Sequence, residues 1–186
     1  MPAISEERLT VHGVYMEVLG LGVLLTGESG IGKSELALDL INRGHTLIAD
    51  DAPAFHKSTN DAIIGSCPQV LQDFLEVRGI GILNIRAMFG DTAIRDNKRL
   101  RLIVRLMTYR DEELLKMDRL HGMHRTRNIL GVEIPEVTVP VAPGRNLDIL
   151  VEAAVRNEIL TRNGYNASEE FLKRQAEMME KKYFNS

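Results

Sequence analysis

The sequence contains a single cysteine, no tryptophan and few other aromatic side chains. Because Cys67 has no partner in the chain, no internal disulfide can form, which is typical of proteins from reducing compartments. Aromatic residues make up 5% of the chain, which disfavours surfaces that bind single-stranded nucleic acid or sugars by stacking. These shortages favour a cytoplasmic protein.

The chain also lacks a long apolar run and a large excess of either charge. No stretch of about 18 uninterrupted apolar residues occurs, so no membrane-spanning helix is predicted. The start of the chain has neither the basic residues nor the apolar core of a secretion signal. Lys and Arg number 23 against 26 Asp and Glu, whereas nucleic-acid binders are usually basic. The composition therefore predicts no nucleic-acid and no membrane partner.

What the chain does contain is the composition of a folded domain. Apolar residues make up 44% and charged residues 26%, close to the averages of globular proteins. A length of 186 residues suits one domain, and the glycines fall at the ends of predicted elements rather than in a linker. We therefore expect residues 1–186 to form a single domain.

An apolar run, a glycine-rich loop and an amphipathic segment follow one another near the N-terminus. Residues 22–26 predict a buried strand, and residues 34–43 have apolar side chains at helical spacing before Gly44. Thr46–Ala49 predicts a second buried strand. This order predicts a βαβ unit.

The middle of the chain predicts shorter, mostly β elements. Phe74–Val77 and residues 79–84 predict strands, and Ile85–Phe89 predicts a short helix. Residues 100–106 alternate as in a half-buried strand. Val132–Val141 alternates too, but its two prolines cannot donate to a ladder, so we assign it to an edge or to short pieces.

The last part of the chain predicts two helices. Asn146 is the expected N-cap of a helix over residues 147–163. Ser168 is expected to open a second, charged helix that reaches about residue 182, with acidic residues at its start and lysines at its end.

The most informative local motif matches the phosphate-loop pattern G-x-x-x-x-G-K-[ST] at every fixed position. Glycines in such a loop let backbone N–H groups face phosphate oxygens, and the following helix adds partial positive charge. The lysine reaches the outer phosphates and the serine hydroxyl coordinates Mg²⁺. An ordinary glycine-rich turn is the alternative. The predicted phosphate-binding residues are Gly27, Glu28, Ser29, Gly30, Ile31, Gly32, Lys33 and Ser34.

Two adjacent carboxylates follow the second predicted strand. Asp50 and Asp51 would point to opposite sides of a strand, so we expect them to do different work, one as a base and the other toward a metal or a structural partner. The alternative is a pair of turn aspartates. A GTPase is excluded because the nearest string to Asn-Lys-x-Asp, at residues 97–100, lacks the aspartate.

Several ordered strings make the chain resemble the HPr kinase/phosphorylase family, bacterial enzymes that act on a serine of the phosphocarrier protein HPr. The strings lie at residues 11–13, 27–35, 43–45, 47–51, 75–84, 118–120 and 140–146. The resemblance covers residues 11–164 and implies an α/β fold, a phosphate-loop kinase with a mixed central β-sheet similar to phosphoenolpyruvate carboxykinase-like domains. The string most specific to the family is Leu75, Glu76, Val77, Arg78, Gly79, Ile80, Gly81, Ile82, Leu83 and Asn84.

The resemblance also implies roles for single residues. Asp51 accepts the serine proton in the kinase direction and returns it in phosphorolysis, and His12 orients Asp51 or the phosphate. Arg119 holds the transferring phosphate, and Ser34 with Glu76 holds Mg²⁺. The implied catalytic residues are His12, Lys33, Asp51 and Arg119. The segment implied to serve dephosphorylation is Pro140, Val141, Ala142, Pro143, Gly144 and Arg145.

Each of these assignments has a structural alternative. Without the resemblance, His12 would be interpreted as a structural histidine and Glu76 would be interpreted as an ion-pair partner of Arg78. Arg119 reads as a solvated surface charge. The segment over residues 140–145 reads as a Pro-Gly turn.

The chain departs from the family in two places. Residues 121–127 are basic where family members often carry an acidic run. The family also usually has an N-terminal domain before the His-Gly pair, whereas this sequence starts eleven residues before His12. We therefore expect residues 1–186 to be the catalytic phosphate-loop domain, either as a piece of a longer protein or as a naturally short form.

The function implied is a bifunctional HPr kinase/phosphorylase that uses Mg²⁺ and either ATP or pyrophosphate as donor and controls carbohydrate metabolism through the phosphotransferase system. A small-molecule kinase and a non-catalytic nucleotide-binding regulator are the alternatives. The family forms homohexamers and binds HPr near the C-terminal helix, so the helix from Ser168 is a candidate contact, with a solvated surface helix as the alternative.

Overall fold

The structure, a computed structural model, describes residues 7–108 and 120–184. Within them a nine-stranded mixed sheet and a separate two-stranded hairpin are flanked by helices. The strands are β1 Arg8–Thr10, β2 Val14–Val18, β3 Leu21–Thr26, β4 Thr46–Ala49, β5 Ala54–Lys57, β6 Ile63–Ser66, β7 Phe74–Val77, β8 Gly81–Asn84, β9 Asn97–Thr108, β10 His124–Ile129 and β11 Val132–Val141. The helices are α1 Lys33–Asn42, α2 Ile85–Phe89, α3 Leu147–Arg162 and α4 Ala167–Phe184, with short 3-10 turns at Gln69–Leu71 and Asp91–Ala93.

The long strand β9 is the centre of the sheet. On one side it pairs with β3, followed by β2 and β4. On the other side its first residues pair with β6, which leads to β5 and β1, and its last residues pair with β11, which leads to β10. The strands β3, β9 and β11 are parallel. Because β2 is antiparallel to both of its neighbours, β4 runs parallel to β3 as well.

The predicted strand–loop–helix–strand order is confirmed as β3–α1–β4. The two strands are parallel but not adjacent, because β2 pairs with both of them and lies between them. The predicted mixed α/β sheet is likewise confirmed.

Two apolar clusters cover the two faces of the sheet. The strand β3 contributes to both, since Leu25 packs with α1 and α3 on one face and Leu24 packs with Tyr15 and Phe55 on the other. Adjacent residues of a strand point to opposite faces, so a strand between two covered faces is buried throughout.

The same burial corrects the expectation of a half-buried strand over residues 100–106. The strand β9 extends from Asn97 to Thr108, and Ile103 is as fully buried as Val104 beside it. The cause is tertiary, because each face of β9 is covered by one of the apolar clusters.

The assignment of Val132–Val141 to short pieces is wrong, and the assignment to an edge holds only for the two parts of the strand that contain the prolines. These residues form one continuous strand, β11, which pairs with β10 and with β9. The prolines are tolerated because the two partners overlap only at Glu136 and Val137: Pro135 lies opposite β10 alone and Pro140 opposite β9 alone. Each proline therefore has one unpaired side, where no N–H is needed.

The C-terminal helices begin close to the predicted positions, with different caps. Asn146 precedes α3 but its side chain makes no capping hydrogen bond. The helix α4 is capped by Asn166, whose Oδ1 accepts from the amide of Ser168 at 3.0 Å, while the Ser168 hydroxyl donates to the carbonyl of Leu120. Ser168 is thus a residue of the first turn and not its cap. None of the helices in residues 7–108 and 120–184 combines the length and the apolar character needed to cross a bilayer.

Candidate active site

The predicted functional strings meet at one edge of the central sheet. Because β3, β4, β9 and β11 are parallel, their carboxyl ends lie along the same edge, and the antiparallel β2 begins there. The phosphate loop follows β3, the Asp pair follows β4, residues 140–145 surround the end of β11, and His12 precedes β2. Ligands of open α/β sheets bind outside the carboxyl ends of the strands.

The phosphate loop has a backbone that its glycines make possible. At Gly27 the φ angle is 146°, and a Cβ would lie 2.8 Å from the carbonyl oxygen of Leu106. Gly32 precedes α1 with a φ of 103° and brings no side chain to cap the helix. The first N–H groups of α1 are therefore left without a side-chain acceptor, which is the arrangement that binds phosphate oxygens at a helix N-terminus.

Lys33 is folded onto the loop that precedes it. Its Nζ donates to the carbonyl oxygens of Gly27 at 2.9 Å and Glu28 at 2.8 Å, and the residue is only 8% exposed. Burial lowers the pKa of Lys33, and the nearby Asp51 and Asp50 offset part of this decrease. The two carbonyl oxygens carry only partial negative charge, so a bound phosphate would be a stronger partner for the Lys33 ammonium group.

Asp51 and His12 form a pair at the mouth of the site. His12 Nδ1 lies 2.8 Å from Asp51 Oδ1, and both side chains are more than half exposed. Asp51 has a φ of 65°, which is uncommon for a residue other than glycine, and its carbonyl accepts from the amide of Gly13 at 3.2 Å. Exposed ion pairs contribute about 0–1 kcal/mol to stability. The contact with His12 is therefore better explained as a means of orienting the Asp51 carboxylate than as a contribution to the stability of the fold.

Asp50 has a different partner. Its Oδ2 accepts from the backbone N–H of Glu76 at 2.8 Å, which fixes the β7–β8 hairpin beside the phosphate loop. Burial raises the pKa of Asp50, and the hydrogen bond from the Glu76 amide opposes this increase. The alternative ion pair between Glu76 and Arg78 is not formed among the described residues.

These groups enclose a cleft of about 190 Å³. Its oxygen donors come from a hydroxyl, Ser34, and from the carboxylates of Asp50, Asp51 and Glu76. In residues 7–108 and 120–184 no three acidic, His or Cys side chains are arranged to hold a metal by themselves. Mg²⁺ commonly binds through one or two protein oxygens plus waters and substrate phosphates, so this donor set fits Mg²⁺ together with a phosphate. The lining residues are His12, Gly13, Val14, Ser29, Gly30, Gly32, Lys33, Ser34, Glu35, Asp50, Asp51, Glu76 and Arg78.

Comparison with protein families gives a match over residues 4–175 to the family described as HPr Serine kinase C-terminal domain. The chain belongs to this family. Its sequence is 51% identical over 180 residues to the HPr kinase/phosphorylase of Xylella fastidiosa (strain M12), which covers 96% of this chain and 57% of that protein. It is 50% identical over 176 residues to the HPr kinase/phosphorylase of Xanthomonas campestris pv. campestris (strain B100), covering 94% and 56%. The chain thus spans less than two thirds of the length of these relatives.

A solved structure agrees with the family match. The Hpr(Ser) kinase/phosphatase from Coxiella burnetii superposes with a TM-score of 0.79 at 40% identity, covering 88% of this chain and 98% of that one. The predicted phosphate-loop kinase fold is therefore confirmed as the fold of the HPr Serine kinase C-terminal domain.

Eight of the predicted catalytic, phosphate-binding and metal residues line the cleft: His12, Ser29, Gly30, Gly32, Lys33, Ser34, Asp51 and Glu76. Gly27, Glu28 and Ile31 of the phosphate loop line the groove described below. Arg119 lies outside the described residues. The segment over residues 140–145 lines neither the cleft nor the groove described next. It closes on itself through Arg145, whose Nη1 donates to the carbonyl of Pro140 at 3.3 Å.

Sequence reasoning missed a groove of about 590 Å³ on the other side of the phosphate loop. Arg105, Arg125 and Arg127 line it, and Arg125 Nε lies 2.6 Å from Glu136 Oε1. Arg125 and Arg127, from the basic segment noted in the sequence, therefore lie beside the phosphate loop. The groove depends on the pairing of β9 with β3, which sets Arg105 opposite Thr26 beside the phosphate loop. The sequence alone does not reveal that pairing, so it carried no signal for the groove.

Proposed function

We propose that this chain is the catalytic part of a bifunctional HPr kinase/phosphorylase. It transfers a phosphoryl group from ATP, or from pyrophosphate, to a serine of HPr, and it removes that group by phosphorolysis to give pyrophosphate. The observation that carries the proposal is the His12–Asp51 pair, a carboxylate held at 2.8 Å from an imidazole in the same cleft as the phosphate loop. The names of the relatives at about 50% identity support the choice of HPr as acceptor.

In the kinase direction, the phosphate loop and Lys33 hold the donor phosphates. Asp51 accepts the proton of the serine hydroxyl while the serine oxygen forms a bond to the γ-phosphorus and the bond to the leaving phosphate breaks. His12, whose Nδ1 lies 2.8 Å from Asp51 Oδ1, holds this carboxylate in place. Catalysis in this scheme is positioning and charge neutralisation.

In the reverse direction, inorganic phosphate occupies the donor side of the cleft. A phosphate oxygen forms a bond to the phosphorus of phosphoserine, the bond from phosphorus to the serine oxygen breaks, and Asp51 returns the proton to that oxygen. The products are serine and pyrophosphate, so the same residues serve both directions.

The remaining site residues are part of the same proposal. Ser34 and Glu76 would hold Mg²⁺, which supplies charge neutralisation at the phosphates when bound. Arg119 would hold the transferring phosphoryl group with its planar guanidinium. Residues 140–145 would serve dephosphorylation, which agrees with their position at the carboxyl end of β11, along the same edge as the phosphate loop.

Assembly and location complete the proposal. A homohexamer is supported by the family resemblance and by apolar side chains that α4 exposes, among them Phe171, Met178 and Met179. A monomer in sedimentation at working concentration would contradict it. A cytoplasmic enzyme that controls carbohydrate metabolism through the phosphotransferase system follows from HPr as acceptor.

The direct test is incubation of the chain with HPr, ATP and Mg²⁺, read by intact mass. We expect phosphoserine-HPr with the parent chain and with Asp39→Asn, an exposed carboxylate on α1 outside the cleft. Asp51→Asn should lower the rate by about 10²–10⁴-fold, the usual contribution of a general base. Equal rates for Asp51→Asn and the parent would rule out Asp51 as the base. Turnover of a small acceptor without HPr would favour a small-molecule kinase, and nucleotide binding without transfer would favour a regulator.

A further inference from the structure

Besides the cleft and the groove, a third concave site lies at the opposite end of the central sheet from the phosphate loop. It is formed by the turn before β3, the start of β9 and the end of α3, and its volume is about 490 Å³. The strand β3 runs from Leu21, which lines this recess, to Thr26 beside the phosphate loop. At about 3.3 Å per residue the two sites are roughly 20 Å apart.

The recess is lined by four cationic side chains and by no acidic one. They are Lys98, Arg99, Arg101 and Arg162. Two of them have a carboxylate next to the recess: Lys98 Nζ lies 3.1 Å from Glu17 Oε2, and Arg162 Nε lies 3.2 Å from Glu158 Oε1. Glu17 is shared with Arg95, so its charge is divided between two cations.

Arg99 and Arg101 have no acidic partner among the described residues. Both arginines line the recess, and Arg101 is the extra residue where the pairing of β9 with β3 shifts register between Leu100 and Leu102. Burial lowers the pKa of Arg101, and the neighbouring Arg162 and Arg99 lower it further. Because a guanidinium stays charged in proteins, this positive charge is uncompensated, and an anion in the recess would relieve the repulsion.

The shape of the recess and the type of its cations both favour a small phosphorylated ligand. Guanidinium groups form paired hydrogen bonds with phosphate oxygens, which lysine cannot do. A volume of about 490 Å³ falls within the range of small-molecule pockets, whereas nucleic-acid duplexes and protein surfaces are usually met by broad faces. The amide of Asn163 at the end of α3 adds a neutral polar group to the lining.

We propose that the recess between Arg99, Arg101 and Arg162 binds a small phosphorylated molecule that carries at least two negative charges. This site is separate from the phosphate loop and does not depend on the function proposed above. It gives the chain two anion sites, one at each end of β3.

The test is a calorimetric titration of the whole chain with inorganic pyrophosphate at low ionic strength. The variant Lys33→Met weakens the phosphate-loop site, and the added substitutions Arg99→Ala and Arg101→Ala show whether the binding that remains lies in the recess or in the groove beside the phosphate loop. We expect the parent to bind two equivalents of pyrophosphate, and Lys33→Met to retain one. Adding Arg99→Ala and Arg101→Ala to Lys33→Met should weaken the remaining binding at least about tenfold, as expected for the loss of two charge-assisted contacts.

The matched control is Arg156→Ala, an exposed arginine of α3 that does not line the recess. In the Lys33→Met background it should leave pyrophosphate binding unchanged, and thermal melting should show that every variant is folded. Absence of a second equivalent in the parent would overturn the proposal, and so would unchanged binding in the triple variant. An equal loss with Arg156→Ala would indicate diffuse surface charge and would overturn it too. Binding of an RNA homopolymer without binding of pyrophosphate would have the same effect.

Discussion

Asp50 and Asp51 are adjacent in sequence and have different partners. Asp50 accepts from the backbone of Glu76, while Asp51 pairs with His12. Different work for the two residues was predicted from the alternation of a strand. The strand β4 ends before them, however, and the separation comes from the positive φ of Asp51.

The His12–Asp51 pair should matter for turnover and hardly at all for stability. Replacing His12 by Ala removes the partner of Asp51, so we expect kcat for HPr phosphorylation to fall about 10- to 100-fold, less than the full contribution of a general base. The melting temperature should change little, since an exposed pair contributes at most about 1 kcal/mol. A loss of stability that accounts for the loss of kcat would contradict a positioning role. The nucleotide KM, measured in the same assays, should stay within about threefold of the parent.

Asp50 should hold the β7–β8 hairpin in place. In Asp50→Ala the amide of Glu76 loses its acceptor, so we expect faster hydrogen exchange at that amide and a higher Mg²⁺ concentration for half-maximal activity. Asp50→Asn keeps an acceptor oxygen and is the matched control. Unchanged exchange at Glu76 in Asp50→Ala would show that the hairpin is held by other contacts.

At the scale of elements, the helices α1 and α3 are joined by an ion-pair network. Glu152 on α3 accepts from Arg43 Nε at 2.8 Å and Nη2 at 2.6 Å, and lies 2.7 Å from His45 Nε2. These partners, Arg43 first and His45 second, lower the pKa of Glu152 to about 2. The string at residues 43–45, noted only for its family likeness, therefore has a structural explanation.

The network should stabilise the fold in a pH-dependent manner. The pKa of Glu152 is below its ordinary value of 4.5 in the folded chain, so its contribution is fully present above about pH 4.5 and is lost as the pH falls toward 2. We expect Glu152→Gln to lower the free energy of unfolding by about 1–2 kcal/mol at pH 7 and by roughly half as much at pH 3, where the carboxylate is already protonated in the unfolded chain. Urea unfolding at the two pH values measures this. Glu177→Gln, an exposed residue of α4, should show no such difference, and an equal loss at both pH values would argue against the charge effect.

At the scale of the whole molecule, β3 and β9 join the two apolar clusters. Leu24 and Leu25 are neighbours on β3 and both are fully buried, one in each cluster. Because both clusters depend on the same strands, we expect them to unfold together.

Leu24→Ala and Leu25→Ala should therefore each lower the free energy of unfolding by about 2–5 kcal/mol, the usual cost of a buried cavity. Each variant should unfold in one transition, seen at the same denaturant concentration by circular dichroism and by hydrogen exchange on both faces. Two separate transitions in either variant would mean that the faces of the sheet are independent units.

The local sequence by itself determined the phosphate loop, α1 and α2. Their signals are fixed spacing, glycine position and a period of 3.6 residues, all of which act between near neighbours. The family likeness supplied His12 and Glu76 as site residues, which spacing alone would have left as structural groups.

Only the tertiary structure decided how these parts meet. The insertion of β2 between β3 and β4, the covering of both faces of β9 and the unbroken β11 depend on pairing between distant segments. The arginine recess likewise needs α3 packed against the start of β9. Such contacts form because burying a strand between two covered faces removes more apolar surface from water than burying one face. The local alternation of apolar and polar residues does not specify which strand will be the neighbour.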